Sequence, residues 1–355
     1  MKLICVILFV LYLGNCFGQQ PNNRFEECQI VEQNGKFGIL FGKQLAIPYE
    51  YDEIIPQYNS FFKVRKGNKY GIVSYFYSKD RNRFLQRNSY KIIEVKKGYV
   101  SFHTSIPCQY DRMEEFDDQY LLIGCDGKKG FLNHWGAQIV PCRFEKIEIK
   151  DGNIWVMSDN KHGVYNRYGS TILPCQFDRI EFYDGVYYVT RDTYQGIYNR
   201  YGSVIVPVHY TRIHKVGNSY WVEKGKLKGL MNQYGSTIIA CQFDEIFREG
   251  EVYYVTRENK KGVYNRYGSV IIPARFDEVK NINNVYFVRN HQKYGIYNCY
   301  GSTILPCNFE KIEGLANGNY IATQGNSKKL YNTYGSFLGD YSEANVIYST
   351  EKLPD

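Results

Sequence analysis

One spacing dominates this sequence from residue 130 onward, where a glycine recurs every 33 residues. These glycines are Gly130, Gly163, Gly196, Gly229, Gly262 and Gly295. A second glycine follows six residues after each, at Gly136, Gly169, Gly202, Gly235, Gly268 and Gly301. A period of about 20 to 50 residues is typical of repeat proteins, whose units are too small to bury a core alone and must stack on their neighbours.

Two further positions repeat in the same register. A proline usually comes five residues after the second glycine, at Pro141, Pro174, Pro207, Pro273 and Pro306. An aromatic-acid pair follows, at Phe144-Glu145, Phe177-Asp178, Phe243-Asp244, Phe276-Asp277 and Phe309-Glu310. Looser copies lie around Gly38, Gly71 (with a polar insertion near 78–89) and Gly98, and a partial copy contains Tyr334-Gly335. The register predicts about nine units and a partial tenth over residues 37–340.

Each unit is predicted to consist of short β-strands. The chain contains 35 Tyr, 21 Phe and 32 Gly, and aromatic residues interspersed with glycine favour strands and turns. In one copy we expect strands at 186–191, 196–199, 203–206 and 210–213. The turn at 199–202 has Asn first and Gly last, so that the Asn side chain can cap the turn and Gly202 can adopt a left-handed conformation.

The predicted fold is therefore all-β, with tandem β-meander repeats of about 33 residues stacked as an elongated twisted array. A closed β-propeller also uses about four short strands per unit and is the alternative. We expect a signal peptide at 1–18, an N-terminal capping segment at 19–36, the repeat array at 37–340 and a C-terminal tail at 341–355.

The N-terminus predicts export. A positive start at Lys2 precedes an apolar run at 3–13, and Cys16 and Gly18 are small residues placed for cleavage between Gly18 and Gln19. The lipoprotein alternative is disfavoured because Asn15 lies where that signal has a smaller residue. The run is too short for a transmembrane helix, so we expect a secreted, periplasmic or cell-surface protein with no transmembrane segment.

Eight cysteines remain after the predicted cleavage, and five share one repeat position: Cys108, Cys142, Cys175, Cys241 and Cys307. Other copies hold Val208 or Ala274 there, so we expect these thiols to act as small buried hydrophobes. Stacked sheets lie about 10 Å apart, which is too far for disulfides between equivalent positions. Disulfides stay an open alternative, because an even number of cysteines in an exported chain suggests pairing.

No metal or other cofactor is expected. The sequence has no Cys-x-x-Cys motif, and His209 and His214 are five residues apart, which places them on opposite faces of a strand. In the irregular segment 74–110, His103 is the one residue that could form a site absent from the other copies. The charge of +8 is scattered along the chain, so no nucleic-acid groove is predicted.

An acid also repeats at one position, at Asp52, Asp111, Glu145, Asp178, Asp244, Asp277 and Glu310. Acid–base catalysis requires two carboxyl groups in different surroundings, and a repeated position gives them the same surroundings. We expect each acid to cap a turn or to pair with a basic neighbour such as Arg179 or Arg275. The sequence therefore predicts a protein that is not an enzyme.

The candidate binding residues occupy the third position of the repeated turn. They are Tyr168, Tyr201, Tyr234, Tyr267, Tyr300 and Tyr334, accompanied by Arg167, Arg200 and Arg266. Tyr and Arg are enriched in protein contact surfaces, and tyrosine rings also suit sugars. The alternative is that each Tyr packs on the next unit and holds the repeats together.

Residues 293–298 (Lys-Tyr-Gly-Ile-Tyr-Asn), then Gly301, Ile304-Leu305-Pro306 and 309–312 (Phe-Glu-Lys-Ile), resemble the WG-repeat family, whose unit reads roughly Lys-Trp-Gly-Leu-Ile-Asp, Gly, Val-Ile-Pro, Tyr-Asp-x-Ile. The name-giving Trp is replaced here by Phe37, Tyr70, Lys129, His162, Gln195, Lys228, Lys261 and Tyr294, which suggests a partly exposed position. The family is largely bacterial and often exported, and the resemblance implies binding or scaffolding. We therefore expect a non-catalytic protein-interaction or scaffold module, with a lectin-like glycan-binding protein as the alternative.

Overall fold

The computed structural model describes residues 28–57, 61–79, 81, 89–95, 98–117, 119–133 and 136–341. These residues form 36 β-strands in nine antiparallel sheets, which we name A to I in chain order. The predicted all-β fold of tandem meander repeats is confirmed. The choice between an elongated array and a closed propeller stays a prediction. The predicted signal peptide lies outside the described residues, as do 342–355 of the predicted tail.

Four sheets lie in the N-terminal unit, residues 1–179. Sheet A contains β1 (Cys28–Gln33), β2 (Lys36–Phe41) and β3 (Gln44–Tyr51); sheet B contains β4 (Glu53–Gln57), β5 (Phe61–Lys66), β6 (Lys69–Ser78), β7 (Ser89–Val95) and β8 (Gly98–Tyr110). Sheet C contains β9 (Arg112–Glu115), β10 (Tyr120–Cys125), β11 (Lys128–Asn133) and β12 (Gln138–Phe144); sheet D contains β13 (Lys146–Lys150), β14 (Asn153–Ser158), β15 (Lys161–Asn166) and β16 (Thr171–Phe177).

Five sheets form the C-terminal unit, residues 180–355, with the boundary at the start of sheet E. Sheet E contains β17 (Arg179–Tyr183), β18 (Val186–Arg191), β19 (Tyr194–Asn199) and β20 (Val204–Tyr210); sheet F contains β21 (Arg212–Val216), β22 (Ser219–Lys224), β23 (Leu227–Asn232) and β24 (Thr237–Phe243). Sheet G contains β25 (Glu245–Glu249), β26 (Val252–Arg257), β27 (Lys260–Asn265) and β28 (Val270–Phe276); sheet H contains β29 (Glu278–Ile282), β30 (Val285–Asn290), β31 (Lys293–Asn298) and β32 (Thr303–Phe309); sheet I contains β33 (Lys311–Gly314), β34 (Tyr320–Gln324), β35 (Ser327–Tyr331) and β36 (Phe337–Asp340).

The second and third copies of the repeat form one sheet, so the expected separate copy at Gly98 is wrong. Strands β6 and β8 are long and pair directly, and β7 joins β8 as a fifth strand. The ninth sheet is instead the copy that the sequence predicted to be partial, sheet I.

The predicted strand ends around Pro207 are also wrong, because β20 continues through the proline. The pairing of β19 with β20 shifts register between Gln195 and Ile197, so that Pro207 lies in a β-bulge. A proline cannot donate to the sheet and is tolerated at a bulge. A Cβ built on Gly196 would lie 3.0 Å from the carbonyl oxygen of Val206, which explains why this position is glycine.

Consecutive sheets within each unit share one apolar interior. Between sheets G and H, for example, the buried cluster contains Val263, Ile272, Phe276, Tyr286, Val288 and Tyr297. The same kind of cluster joins E to F, F to G and H to I in the C-terminal unit, and A to B, B to C and C to D in the N-terminal unit. Burial of each large apolar side chain stabilises the fold by roughly 1.5 to 3 kcal/mol.

Candidate functional site

Each four-stranded sheet carries two turns at the same end of its strands, and we call this end of the sheet the tip edge. In an up-and-down meander, the turn between the first two strands and the turn between the last two lie at the same end of the strands. In sheet E these turns hold Asp184-Gly185 and Arg200 to Ser203. A Cβ on Gly185 would lie 3.9 Å from the Arg200 guanidinium, and in sheet G the Arg266 Nη1 donates to Glu251 Oε2 at 2.9 Å, so both turns contribute to one surface.

The turn between the third and fourth strands is held by an asparagine, as the sequence predicted. In sheet E the Asn199 Oδ1 accepts hydrogen bonds from the N–H groups of Tyr201 and Ser203, both at 2.9 Å. The Gly202 N–H donates to the Asn199 carbonyl at 3.0 Å, and Gly202 has a φ of +87°. The same pair of Oδ1 contacts recurs at Asn166, Asn232, Asn265, Asn298 and Asn332. The backbone of each tip is therefore fixed.

The six candidate tyrosines project from these tips into solvent. The exposed fractions are 70% for Tyr168, 78% for Tyr201, 78% for Tyr234, 71% for Tyr267, 86% for Tyr300 and 86% for Tyr334. A tyrosine that held neighbouring repeats together would be largely covered, so these side chains do not serve as packing between sheets.

In the C-terminal unit, the tyrosine tips follow one another on successive sheets. From sheet F onward, each of the four tip glycines rests on the last strand of the preceding sheet, since an added Cβ would lie only 2.0 to 2.5 Å from a carbonyl oxygen there. The contacts join Gly235 to Ile205, Gly268 to Ile238, Gly301 to Ile271 and Gly335 to Ile304. We call the five side chains on these tips the tyrosine row: Tyr201, Tyr234, Tyr267, Tyr300 and Tyr334.

Arginines cover some of these rings. The guanidinium carbon of Arg200 lies 5.9 Å from the ring centre of Tyr201, and that of Arg266 lies 4.6 Å from Tyr267. Hydrogen bonds to Tyr267 and Glu251 raise the pKa of Arg266. In the N-terminal unit Arg167 likewise stacks on Tyr168 at 4.7 Å. The other members of the row follow Gln233, Cys299 and Thr333 instead of arginine.

Several charged side chains of this edge pair with one another. Lys215 of sheet F forms an ion pair with Asp184 of sheet E. In sheet G, Glu251 accepts from Arg266 and lies 3.9 Å from Arg248. The tip edge of the C-terminal unit therefore combines open aromatic rings with ion pairs between neighbouring charged side chains.

The sequence model of the "WG containing repeat" family matches four segments of the chain, at residues 43–70, 163–192, 229–261 and 262–294. This chain carries WG repeats. The match confirms the resemblance found in the sequence. No curated protein matches the chain.

Similar solved structures are distant. They include PorZ, a surface component of the type-IX secretion system of Porphyromonas gingivalis (8% identity, TM-score 0.20, covering 81% of this chain and 44% of that chain). Others are an extracellular domain from B. thetaiotaomicron (9% identity, TM-score 0.23, 90% and 64% covered) and Hsv2 of Kluyveromyces lactis (9% identity, TM-score 0.20, 62% and 95% covered). The chain spans less than half the length of PorZ. Likenesses this distant assign no partner or location to the WG repeats.

The name-giving Trp position of the WG repeats lies near the start of the third strand. The residues found there, such as His162, Gln195 and Lys228, are half-buried, and Lys261 and Tyr294 are exposed. Partial exposure at this position explains why the repeats of this chain accept polar residues in place of Trp.

The repeated acids link consecutive WG repeats at the edge opposite the tips. Asp277 accepts from Lys260 Nζ of its own sheet at 2.7 Å and from the His291 N–H of the next sheet at 2.5 Å. These contacts hold the pKa of Asp277 below its ordinary value. The partner is a third-strand lysine and not Arg275, which donates to the Tyr297 hydroxyl at 3.3 Å. The other lysine–acid pairs are Lys36–Asp52, Lys69–Asp111, Lys128–Glu145, Lys161–Asp178 and Lys293–Glu310.

One of the five repeated cysteines forms a disulfide, so the expectation of a free thiol is wrong for Cys142. It pairs with Cys125 at a Cα–Cα distance of 6.1 Å. Cys125 lies at the end of β10, where the next two sheets have Ser158 and Arg191, so sheet C brings a second sulfur to a place where those two sheets have none. The sequence signal was a cysteine outside the repeated position in the same unit.

The other four cysteines at this repeat position are free and half-buried: Cys108, Cys175, Cys241 and Cys307. Burial raises the pKa of each of these thiols. Cys175 and Cys307 donate to the carbonyl oxygens of Lys161 and Lys293, at 3.0 and 3.1 Å. Thiols of this kind are poor nucleophiles.

The histidines that the structure describes do not form a cluster. His209 contacts the ring of Tyr210 at 4.4 Å, His214 lies in β21 of the next sheet, and His103 stacks on Phe76 at 4.8 Å. Across the part of the chain that the structure describes, no three His, Cys, Asp or Glu side chains are placed to hold a metal. A search of the same residues finds no helix of the length and apolarity that a bilayer crossing requires.

Proposed function

We propose that this protein is a non-catalytic, exported binding or scaffold module, and that the tyrosine row is its contact surface for a protein or glycan. The observation that carries the proposal is the exposure of five successive tyrosines, 71% to 86%, on tips of identical construction. An exposed aromatic row is costly to keep in water and favours association.

The tips suit binding because the rings are held ready. From sheet F onward, the asparagine contacts and the glycine against the preceding sheet fix the backbone on both sides of each tyrosine. A tyrosine has only two side-chain torsions, so little conformational entropy is lost when its ring meets a partner.

The chemistry of the repeats supports a role without catalysis. Among the repeated acids, Asp52 and Asp277 have lowered pKa values, are half-buried and are engaged with lysines at the opposite edge, and the repeated free thiols have raised pKa values. Such groups serve structure better than proton transfer or nucleophilic attack. Export is supported by the N-terminal sequence and by the Cys125–Cys142 disulfide, a feature of oxidising compartments.

The experiment compares two sets of tyrosines in the same sheets. The row variant replaces Tyr201, Tyr234, Tyr267, Tyr300 and Tyr334 by Ser. The matched control replaces Tyr194 and Tyr294, which are 43% and 38% exposed near the start of the third strand, at the opposite edge. Labelled full-length protein is applied to printed arrays of glycans and of linear peptides. We expect signals that the row variant loses and the control keeps. Binding by the row variant equal to that of the unchanged protein contradicts the proposal.

A further inference from the structure

The charge pattern of the tip edge indicates what kind of partner the tyrosine row accepts. Lys215 and Asp184 neutralise each other, and Arg266 is engaged by both Glu251 and Tyr267. An acidic polymer is bound mainly through free Lys and Arg side chains, which release its counterions. Lys215 and Arg266 are instead committed to acidic neighbours, and Arg200 lies over the ring of Tyr201, so this surface is better suited to an uncharged partner than to an acidic polymer.

The rings themselves are the open part of the surface. Tyr300 and Tyr334 are each 86% exposed and follow Cys299 and Thr333, so no arginine precedes them. Flat aromatic faces bind apolar C–H groups, and the faces of pyranose sugars consist of such groups. Each ring also has an exposed serine two residues later, at Ser203, Ser236, Ser269, Ser302 and Ser336. Aromatic faces beside neutral hydroxyl groups match the chemistry of a sugar.

The regular spacing of the tyrosine row favours a polysaccharide over a protein as the partner. One ring occurs on each sheet, and consecutive sheets are packed together through shared buried clusters. Sheets packed face to face lie about 10 Å apart, so we expect neighbouring rings of the row at about that interval. Two sugar units of an extended β-linked chain span a similar distance. A regular polymer can therefore repeat one contact at every tip and gain affinity through multivalency.

We propose that the tyrosine row binds a neutral, linear, β-linked polysaccharide lying along successive tips of the C-terminal unit. This inference rests on the function proposed above and specifies its partner. The bare rings of Tyr234, Tyr300 and Tyr334 make the main stacking contacts. Arg200 and Arg266 lie over the rings of Tyr201 and Tyr267 and are not among the contacts that hold the polysaccharide.

The test is affinity electrophoresis of full-length protein in native gels that contain hydroxyethyl cellulose, barley β-glucan or glucomannan, with polygalacturonate as the anionic comparison. We expect retardation by at least one neutral polymer that is insensitive to salt. Replacement of Tyr234, Tyr300 and Tyr334 by Ser should weaken binding by about tenfold or more. The Tyr→Phe changes at the same three positions should retain most binding, because the ring is kept.

Two controls make the result specific. The Tyr194→Ser, Tyr294→Ser double variant and the Arg200→Ala, Arg266→Ala double variant should bind as the unchanged protein does. Binding restricted to polygalacturonate, lost with the arginines and weakened by salt, would overturn the inference in favour of an anionic partner. Retardation by no polymer, together with row-dependent signals on the peptide array, would overturn the inference while leaving the binding role intact. Binding of neither class overturns both.

Discussion

The two units share the features that folding requires and differ at the tip edge. Both have a glycine where the proline strand approaches closely: an added Cβ would lie 2.6 Å from the Ile106 carbonyl oxygen at Gly71 and 2.8 Å from the Cys307 backbone at Gly295. Both pair a lysine with the repeated acid. The C-terminal unit adds a tyrosine on every tip.

The N-terminal unit lacks this regular edge in its described residues. Sheet A has a short tip at Gly42-Lys43, sheet B is extended by β7, and sheet D alone shows the complete tip, with Tyr168. Trp135 of the sheet C tip lies outside the described residues. The residues that pack the sheets together are thus present in both units. The tip tyrosines form an unbroken series only in the C-terminal unit, among the described residues. This is the pattern expected if the tips serve binding.

The largest loss of stability is expected from substitution of a tip glycine that contacts the preceding sheet. Gly268→Ala places a Cβ 2.0 Å from the Ile238 carbonyl oxygen at a φ of +89°. We expect a loss of about 3 kcal/mol or more in the free energy of unfolding, measured by urea denaturation. The control is Gly250→Ala, where φ is +56° and no atom lies within 4 Å, with an expected cost of about 1 kcal/mol. Equal costs would contradict the close packing of tips.

The disulfide should stabilise the N-terminal unit by somewhat less than the loss expected for Gly268→Ala. Cys142→Ala removes a link across 17 residues of sequence, and we expect a loss of about 2 to 4 kcal/mol in unfolding free energy. Cys175→Ala, at the same repeat position in sheet D, removes a free thiol and should cost about 1 kcal/mol. Dithiothreitol should destabilise the unchanged protein and leave Cys142→Ala unaffected. A protein indifferent to reductant would contradict a stabilising disulfide.

A smaller effect is expected from the acids at the opposite edge. The pKa of Asp277 is lowered in the folded state from an ordinary value of 3.8, so its contribution is fully present above that value. The contribution is lost as the pH falls through 3.8 towards the folded-state pKa, where the carboxylate takes up a proton. Asp277→Asn should therefore reduce the acid sensitivity of stability slightly, measured as the urea midpoint between neutral and acidic pH.

The matched control for that change is Asp244→Asn in sheet F. Leu227 occupies the lysine position there, and Asp244 accepts only the Glu258 N–H among its described hydrogen bonds, at 2.7 Å. We expect a smaller change in acid sensitivity than for Asp277→Asn. The reverse order would argue against the lysine as the source of the effect.

The smallest effect on stability should come from the tip tyrosines themselves. Changing Tyr201, Tyr234 and Tyr267 together to Ser should shift the unfolding free energy by less than about 0.5 kcal/mol per site, since the rings are exposed. Tyr286, which is 2% exposed between sheets G and H, provides the contrast, and Tyr286→Ser should cost about 3 kcal/mol or more. A large drop in melting temperature for the triple variant would restore a packing role for the row.

Much of this architecture could be predicted from sequence because its causes are local. The turn at Asn199 to Gly202 follows from side-chain capping and a left-handed glycine within four residues. The course of β20 through Pro207 could not be predicted, since the bulge depends on how the partner strand passes Gly196.

The Cys125–Cys142 pair depends on a contact between strands that are not adjacent in sheet C, and five-stranded sheet B depends on pairing across an insertion. Long-range pairing of this kind leaves no periodic trace in the sequence. Repetition in the sequence identified the candidate tyrosines. That their side chains stay out of the core depends on how the tip glycines pack on the preceding sheets, which the sequence does not show.

The most direct test of the binding edge is mass-spectrometric mapping of tyrosine nitration by tetranitromethane, with and without the neutral polysaccharide that retards the protein. We predict that Tyr234, Tyr300 and Tyr334 react readily in the free protein and are protected by the polysaccharide, while Tyr194 and Tyr294 react equally in both conditions. Unchanged nitration of the tyrosine row under conditions in which the protein is bound would contradict the account.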